Sequence, residues 1–254
     1  MDERRVAIVV EDDEDIRVLL AAILAQSGFE VHVAETGWQG ISLVQAHAPD
    51  LVTLDVGLPD IDGFEVVRRV RLRNADVHIV IVTARTDEID AIQGLEIGAD
   101  MYITKPFRPR ELRAHVEAMM RRRRKRGAPA PPRPVSLPAA KPVERNEMLE
   151  LNGLVLDPSE HSVSVDGAPV PLTPSEFLLL HVLLSGGRLV RSKSELVRFL
   201  RGDGFDSGTL VVPADERAVE VHVGNLRRKL SDRTGEPRWI ETVRGIGYRA
   251  APHR

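Results

Sequence analysis

The sequence predicts two domains of different class, an α/β doubly wound domain on a five-stranded parallel sheet and, after it, a smaller α+β domain. Three observations predict this. Over the first 120 residues, five short β-branched runs alternate with helix-length segments, the pattern of a parallel sheet covered on both faces. Residues 127–142, GAPAPPRPVSLPAAKP, hold six prolines and little to build a core from. Beyond them come short strands, three helical segments, the first two opened by capping boxes, and a terminal hairpin. A chain of 254 residues with a hydrophobic share of 43% is long enough to bury two cores. The predicted boundaries are 1–122, a basic, proline-rich linker at 123–146, and 147–254.

In the first domain the runs Arg5–Val10, Glu30–Val33, Leu51–Leu54, His78–Val82 and Met101–Ile103 read as strands. Val6–Val10 and Ile79–Val82 are apolar throughout, as strands buried on both faces are. Helical patterns fill 14–26, 37–47, 63–73, 87–97 and 109–125. In a doubly wound sheet, ligands collect beyond the carboxyl ends of the strands. The run Arg121–Arg126, RRRRKR, closes the last helix, where cations suit the negative end of the helix dipole. At about 3.1 Å per residue the proline-rich linker reaches about 50 Å, so the two domains need not touch.

In the second domain, Asp157-Pro158 and Asp166-Gly167 punctuate short strands. Thr173-Pro174-Ser175-Glu176 combines an N-cap, a proline at the first helical position and a capping-box glutamate; that helix ends at Ser185-Gly186-Gly187. The box recurs as Ser192-Lys193-Ser194-Glu195. A third helix runs from about Asp215 to Leu230, with Val219, Val223, Leu226 and Leu230 on one face. The hairpin WIETVRGIGYRA follows, with Gly245 and Gly247 marking its turn. Strands, three helices and a terminal β ribbon make a winged helix-turn-helix.

Composition removes several classes of function. The chain has no cysteine, which excludes disulfides, thiolate metal sites and cysteine nucleophiles and fits a reducing cytoplasm. No stretch approaches the ~18 apolar residues of a membrane span, so no membrane contact and no export is expected. A formal charge of -3 conceals a gradient: residues 1–120 carry 22 acidic against 12 basic side chains, residues 121–146 carry 9 basic against 1 acidic, and the remainder is nearly balanced. An acidic first half suits a cation, and a basic stretch suits a polyanion.

Four signals fall at the carboxyl ends of strands in the first domain: Glu11-Asp12-Asp13, Asp55, Thr83 and Lys105-Pro106. Crowded carboxylates repel and call for a cation. Mg²⁺ fits, being a hard ion held by one or two carboxylates together with phosphate oxygens. That set suits phosphoryl transfer to the Asp55 carboxylate, with Lys105 and Thr83 placed to meet the charge on the transferred oxygens.

The motifs VVEDDED, TLDVGLPDIDG, IVIVTAR and GADMYITKPF, in this order across residues 5–122, resemble the receiver domain of bacterial response regulators, a flavodoxin-like fold. The resemblance implies that a sensor histidine kinase phosphorylates Asp55. It further implies that Glu11, Asp12, Asp55 and the Gly57 carbonyl hold the metal, that Thr83 and Tyr102 move as a switch pair, and that the Lys105-Pro106 bond is of the cis kind that X-Pro bonds allow. A register one residue later would make the metal pair Asp12 and Asp13. Asp13, Glu14 and Asp15 otherwise read as solvated or capping residues.

The third helix of the second domain places Arg217, Glu220, His222, Asn225, Arg227, Arg228 and Lys229 around its apolar stripe, a surface able to enter a DNA major groove. Arg244 sits at the hairpin tip, within reach of the minor groove or its phosphates. LTPSEFLLLHVLL, RAVEVHVGNLRRKL and IETVRGIGYR resemble the effector domain of the OmpR/PhoB class of transcriptional regulators. That resemblance implies double-stranded promoter DNA, RNA polymerase and a second copy of the chain as partners. Three departures stand out: Gly224 and Asn225 where many relatives carry basic residues, a long 201–214 loop, and a depleted dimer face. On that face Ala91, Met101, His115 and Glu117 leave Glu96, Asp100 and Glu111 short of cationic partners.

The reading is therefore a DNA-binding transcriptional regulator switched by phosphorylation, and not a turnover enzyme. Two alternatives stay open. One is a phosphorylation-independent winged-helix transcription factor; the other is a Mg²⁺-dependent phosphatase with an aspartate nucleophile, which places a second carboxylate where this chain has Gly57.

Overall fold

The computed structural model describes residues 5–124, 148–202 and 211–254. The segment 127–142 and residues 203–210 of the long loop lie outside the described residues. The first domain alternates β1 (Arg5–Val10), α1 (Glu14–Gln26), β2 (Phe29–Ala34), α2 (Gly37–His47), β3 (Leu51–Leu54), α3 (Gly63–Arg73), β4 (His78–Thr83), α4 (Glu88–Glu96), β5 (Met101–Thr104) and α5 (Pro109–Arg124). All five strands are parallel in the order β2-β1-β3-β4-β5. β2 is longer at both ends than its apolar run suggests, because Phe29 and Ala34 pair with Arg5 and Val10.

Strand alternation divides the core into two layers. Ile8, Val10, Val52, Leu54, Ile79 and Ile81 face α2 and α3 with Phe64, Val67 and Val70. Ala7, Val9, Leu51, Val80 and Val82 face α1 and α5 with Leu20, Leu24, Leu112 and Val116. Helix starts are fixed locally: Asp13, Thr36 and Asp62 accept from the amides of Ile16, Gln39 and Phe64, satisfying orphan donors. Asp60 adds its carboxylate to the start of α2, taking the Gly37 and Trp38 amides at 2.8 and 3.0 Å.

The second domain opens with an antiparallel sheet of β6 (Leu149–Leu151), β7 (Leu154–Asp157), β8 (Ser162–Val165) and β9 (Ala168–Pro169). α6 (Pro174–Gly186), β10 (Arg191–Ser192), α7 (Lys193–Arg201) and α8 (Pro213–Leu230) follow, then the hairpin β11 (Ile240–Val243) and β12 (Gly247–Ala250). Both capping boxes form, on Thr173/Glu176 and Ser192/Glu195. α8 begins two residues earlier than its polar pattern suggests, because Pro213 takes the first turn and Asp215 accepts from the Val212 amide at 2.8 Å.

Gly247 differs from its expected place in the turn: it is the first residue of β12, paired with Ser192 of β10. A Cβ there would lie 1.9 Å from the Arg191 carbonyl oxygen, so only glycine lets the strands approach. Gly245 is the turn residue, at φ 75°. The core of this domain gathers Leu154, Leu156, Leu179, Leu180, Val219, Val223, Leu226 and Trp239. The two domains touch: α8 lies on α4 and α7 on α5. Among the described residues, no helix is long and apolar enough to cross a membrane.

Candidate functional site

At the carboxyl edge of the sheet, one ligand oxygen each from Glu11, Asp12 and Asp55 lies within 4.8 Å of the others. Glu11 and Asp55 are buried while Asp12 is exposed, so the cluster opens on one side. Lys105 reaches it from the end of β5, its Nζ donating to Glu11 Oε1 and Oε2 at 2.7 and 2.8 Å and to Asp55 Oδ2 at 2.5 Å. Asp13 points elsewhere, capping α1, which leaves the acid set on Glu11 and Asp12. The Lys105-Pro106 peptide is cis.

The two buried carboxylates differ electrostatically. Burial pushes Glu11 up to about 7 against the opposing pull of Lys105. Burial acts on Asp55 in the same direction, but the Gly57 amide, Lys105 and the Thr83 hydroxyl together hold it below the usual carboxylate range. The Gly57 amide donates to Asp55 Oδ1 at 3.0 Å. Asp55 is thus the carboxylate kept anionic. Thr83 Oγ1 also accepts from the Arg85 amide, and the Tyr102 hydroxyl donates to the Arg85 carbonyl at 3.0 Å, so both groups meet on the loop between β4 and α4. Burial and Asp90 push the Tyr102 phenol up to about 12, keeping it a donor.

On α8 the predicted polar surface is largely engaged. Asn225 and His222 are buried, with Asn225 Nδ2 donating to the Leu95 carbonyl of α4 at 2.9 Å. Arg228 donates to Asn225 Oδ1 and to the Glu96 carbonyl. Arg217 pairs with Glu88 of α4, Glu220 with Lys193, and Lys229 with the buried Glu176 at 2.6 Å. Arg227 braces the wing, donating to the Ile240 carbonyl and Thr242 Oγ1. Arg244 is exposed beside the Gly245 turn.

Residues 7–117 match the response regulator receiver domain family, and residues 167–250 match the family of the C-terminal domain of transcriptional regulatory proteins. The phosphate regulon transcriptional regulatory protein PhoB of Klebsiella pneumoniae is 36% identical over 244 residues, covering 95% of this chain and 96% of that protein. The chain is a response regulator of the OmpR/PhoB class. The DNA-binding response regulator MtrA of Mycobacterium tuberculosis is 37% identical over 249 residues, covering 98% of both chains. In fold, the response regulator is similar to a RitR mutant structure at a TM-score of 0.70, with 23% identity and 97% of this chain covered. A receiver joined to this effector domain makes the protein a DNA-binding transcription regulator and not a metabolic enzyme, and implies a histidine kinase and DNA as partners.

Several residues that build the response regulator's site carry no signal in the sequence. Arg17, one turn into α1, donates to the carbonyls of Glu11 and Asp12 at 3.0 Å and so fixes the acid-bearing loop. Gly63 lets α3 start against β3: a Cβ there would stand 2.4 Å from the Asp55 carbonyl oxygen. Arg71, one of four arginines in α3, donates to the carbonyls of Gly98, Ala75 and Val77 and to Asp100. The sequence marks Arg17 and Arg71 only as charges among others, because most of their targets are backbone oxygens and their acidic partners lie far along the chain.

Proposed function

We propose that Asp55 is the phosphoacceptor and that its phosphorylation by a histidine kinase controls promoter binding through α8 and the wing. The reading rests on one observation: the Asp55 carboxylate is held anionic inside an acid cluster that opens on one side, beside a single ammonium, on a chain that carries a DNA-binding domain. An oxygen of Asp55 attacks phosphorus, the bond to the kinase imidazole breaks, and the imidazole leaves with the electron pair. Lys105 and Thr83 meet the charge on the transferred oxygens, and Thr83 and Tyr102 carry the change to α4. The cluster fits a divalent cation, since three hard carboxylate oxygens converge with one compensating ammonium. Glu11, Asp12, Asp55 and the Gly57 carbonyl would hold Mg²⁺, which when bound neutralises charge on the phosphoryl oxygens. Dimerisation through the face of α4, β5 and α5, and contact with RNA polymerase on the promoter, complete the proposal.

Incubation with acetyl phosphate and Mg²⁺ should add one phosphoryl group at Asp55, read by peptide mass spectrometry, and should raise promoter affinity. Asp55→Asn should lose both. An Asp55→Asn variant with unchanged promoter occupancy would instead favour the phosphorylation-independent transcription factor, a reading that the depleted dimer face favours.

The metal assignment separates neighbouring carboxylates. Asp12→Ala should weaken Mg²⁺ binding about tenfold or more, whereas Asp13→Ala, which removes a helix cap worth ~1 kcal/mol, should leave it unchanged. Calorimetric titration with Mg²⁺ checks both, and equal losses would return the metal pair to Asp12 and Asp13.

A further inference from the structure

Besides the Arg217–Glu88 pair and the Arg228 contact to the Glu96 carbonyl, three close contacts seat the effector domain on the receiver. Asn225 donates to the Leu95 carbonyl, and the Ser175 amide at the start of α6 donates to Asp100 Oδ1 at 3.0 Å. At the end of α7, Gly202 packs so closely on α5 that a Cβ there would stand 2.6 Å from the Cβ of Ala118. Ala118 is 2% exposed yet belongs to neither receiver core layer, so the effector domain is what covers it.

Asp100 is the centre of this contact. Its Oδ2 takes Arg71 Nη2 at 2.5 Å and the Ile79 amide at 2.9 Å, while Oδ1 is given to Ser175. Against it lies His222 of α8, 1% exposed and hydrogen-bonded to the Asp100 backbone. The second ring nitrogen, Nε2, is buried without a hydrogen-bond partner. A neutral imidazole needs one donor satisfied; an imidazolium has two. The carboxylates facing the ring are engaged: Asp100 as above, and Glu176 of α6 by Lys229 and the Thr173 amide. Arg71 of α3 adds a like charge, Glu88 of α4 pairs with Arg217, and Glu111 and His115 of α5 and Arg201 of α7 line the same interdomain cavity.

We propose that His222 seated on Asp100 is a proton-responsive latch, holding α8 against the receiver while the imidazole is neutral and releasing it when the ring takes up a second proton. Burial already holds His222 below the ordinary histidine range, outweighing the pull of Asp100 and Glu176. The closed state therefore binds fewer protons than the open one. Opening is favoured as pH falls below the open-state value of about 6.5, by up to about tenfold per pH unit. The inference rests on α8 being the DNA-reading helix, so domain movement and DNA binding are measured apart.

The chain has no cysteine, so Leu72→Cys and Leu189→Cys, both at exposed positions, give one dye on each domain of the full-length, unphosphorylated protein. Energy transfer should report closed domains at pH 8 and fall as the solution is acidified to pH 5.5. His222→Gln should stay closed across the range, which separates His222 from Glu11 and His115; His115→Gln should keep the wild-type response. Ala118→Leu, which wedges α5 from α7 without entering a receiver core layer, should be open at pH 8 and insensitive to acid. A flat wild-type profile, a wild-type response in His222→Gln, or a closed and responsive Ala118→Leu overturns the latch. Affinity for a mixed-sequence DNA duplex should rise with opening, relative to His222→Gln. Opening without that rise retires α8 as the reader and leaves the domain movement standing.

Discussion

Replacing Lys105 with alanine should slow phosphoryl transfer to Asp55 by about 10²-fold or more, the usual cost of removing one preorganised charge from a transition state, while tightening divalent-cation binding. The opposite signs follow from what the ammonium touches. Its three contacts use both Glu11 oxygens and Asp55 Oδ2, the same atoms a cation would need, so its removal frees ligands and leaves the cluster more negative. The transferred phosphoryl oxygens then lose the one ammonium that Lys105 brings to the cluster. Glu11, already raised by burial, loses the group that pulls it down, so in the variant Mg²⁺ must displace more proton at neutral pH, and metal binding should become more pH-dependent. Intact-mass time courses with acetyl phosphate give the rate and calorimetric titration gives the metal affinity. A variant that phosphorylates at the wild-type rate, or binds Mg²⁺ more weakly, would show that Lys105 serves structure alone.

The receiver was largely readable because its signals are local and ordered. Strand runs, caps and the four acid, hydroxyl and ammonium positions each occupy a sequence position that the doubly wound topology carries to one sheet edge. The effector's helices were readable for a similar reason, since Thr173/Glu176 and Ser192/Glu195 are self-contained boxes. What escaped was whatever depends on a partner far along the chain. Gly247 looks like a turn residue until β10, more than fifty residues earlier, is brought against it, and Asp100 looks like an unpaired surface acid until Arg71 and Ser175 arrive. His222 and Asn225 have the composition of a groove-reading surface, and helical periodicity places them on α8 correctly. No pattern within the helix says that α4 will bury them.

Arg71→Ala carries the largest expected stability loss, about 3–5 kcal/mol, because it removes one side of a buried ion pair and leaves the other charge uncompensated. The Asp100 side chain is fully enclosed and Arg71 only 10% exposed, so solvent cannot stand in for the missing guanidinium. Three carbonyls, those of Gly98, Ala75 and Val77, lose their donor in the same step. The pH dependence distinguishes this cause from mere loss of packing. In the wild type, burial works to raise Asp100, but Arg71 first, then His78 and the Ile79 amide, hold it below the ordinary carboxylate range. Its contribution to stability is therefore full above about pH 4, the unfolded value, and is lost as pH falls through the folded one. Without Arg71 burial prevails and the carboxyl takes up a proton more readily than in the unfolded chain, which relieves the variant as the solution is acidified. Urea denaturation of both proteins should show a deficit that is widest near pH 7 and narrows toward pH 4. Asp100→Asn placed on Arg71→Ala should recover part of the loss at pH 7 by removing the orphaned charge. A deficit independent of pH, or a double variant no more stable than Arg71→Ala, would mean that the carbonyl contacts rather than the ion pair set the cost.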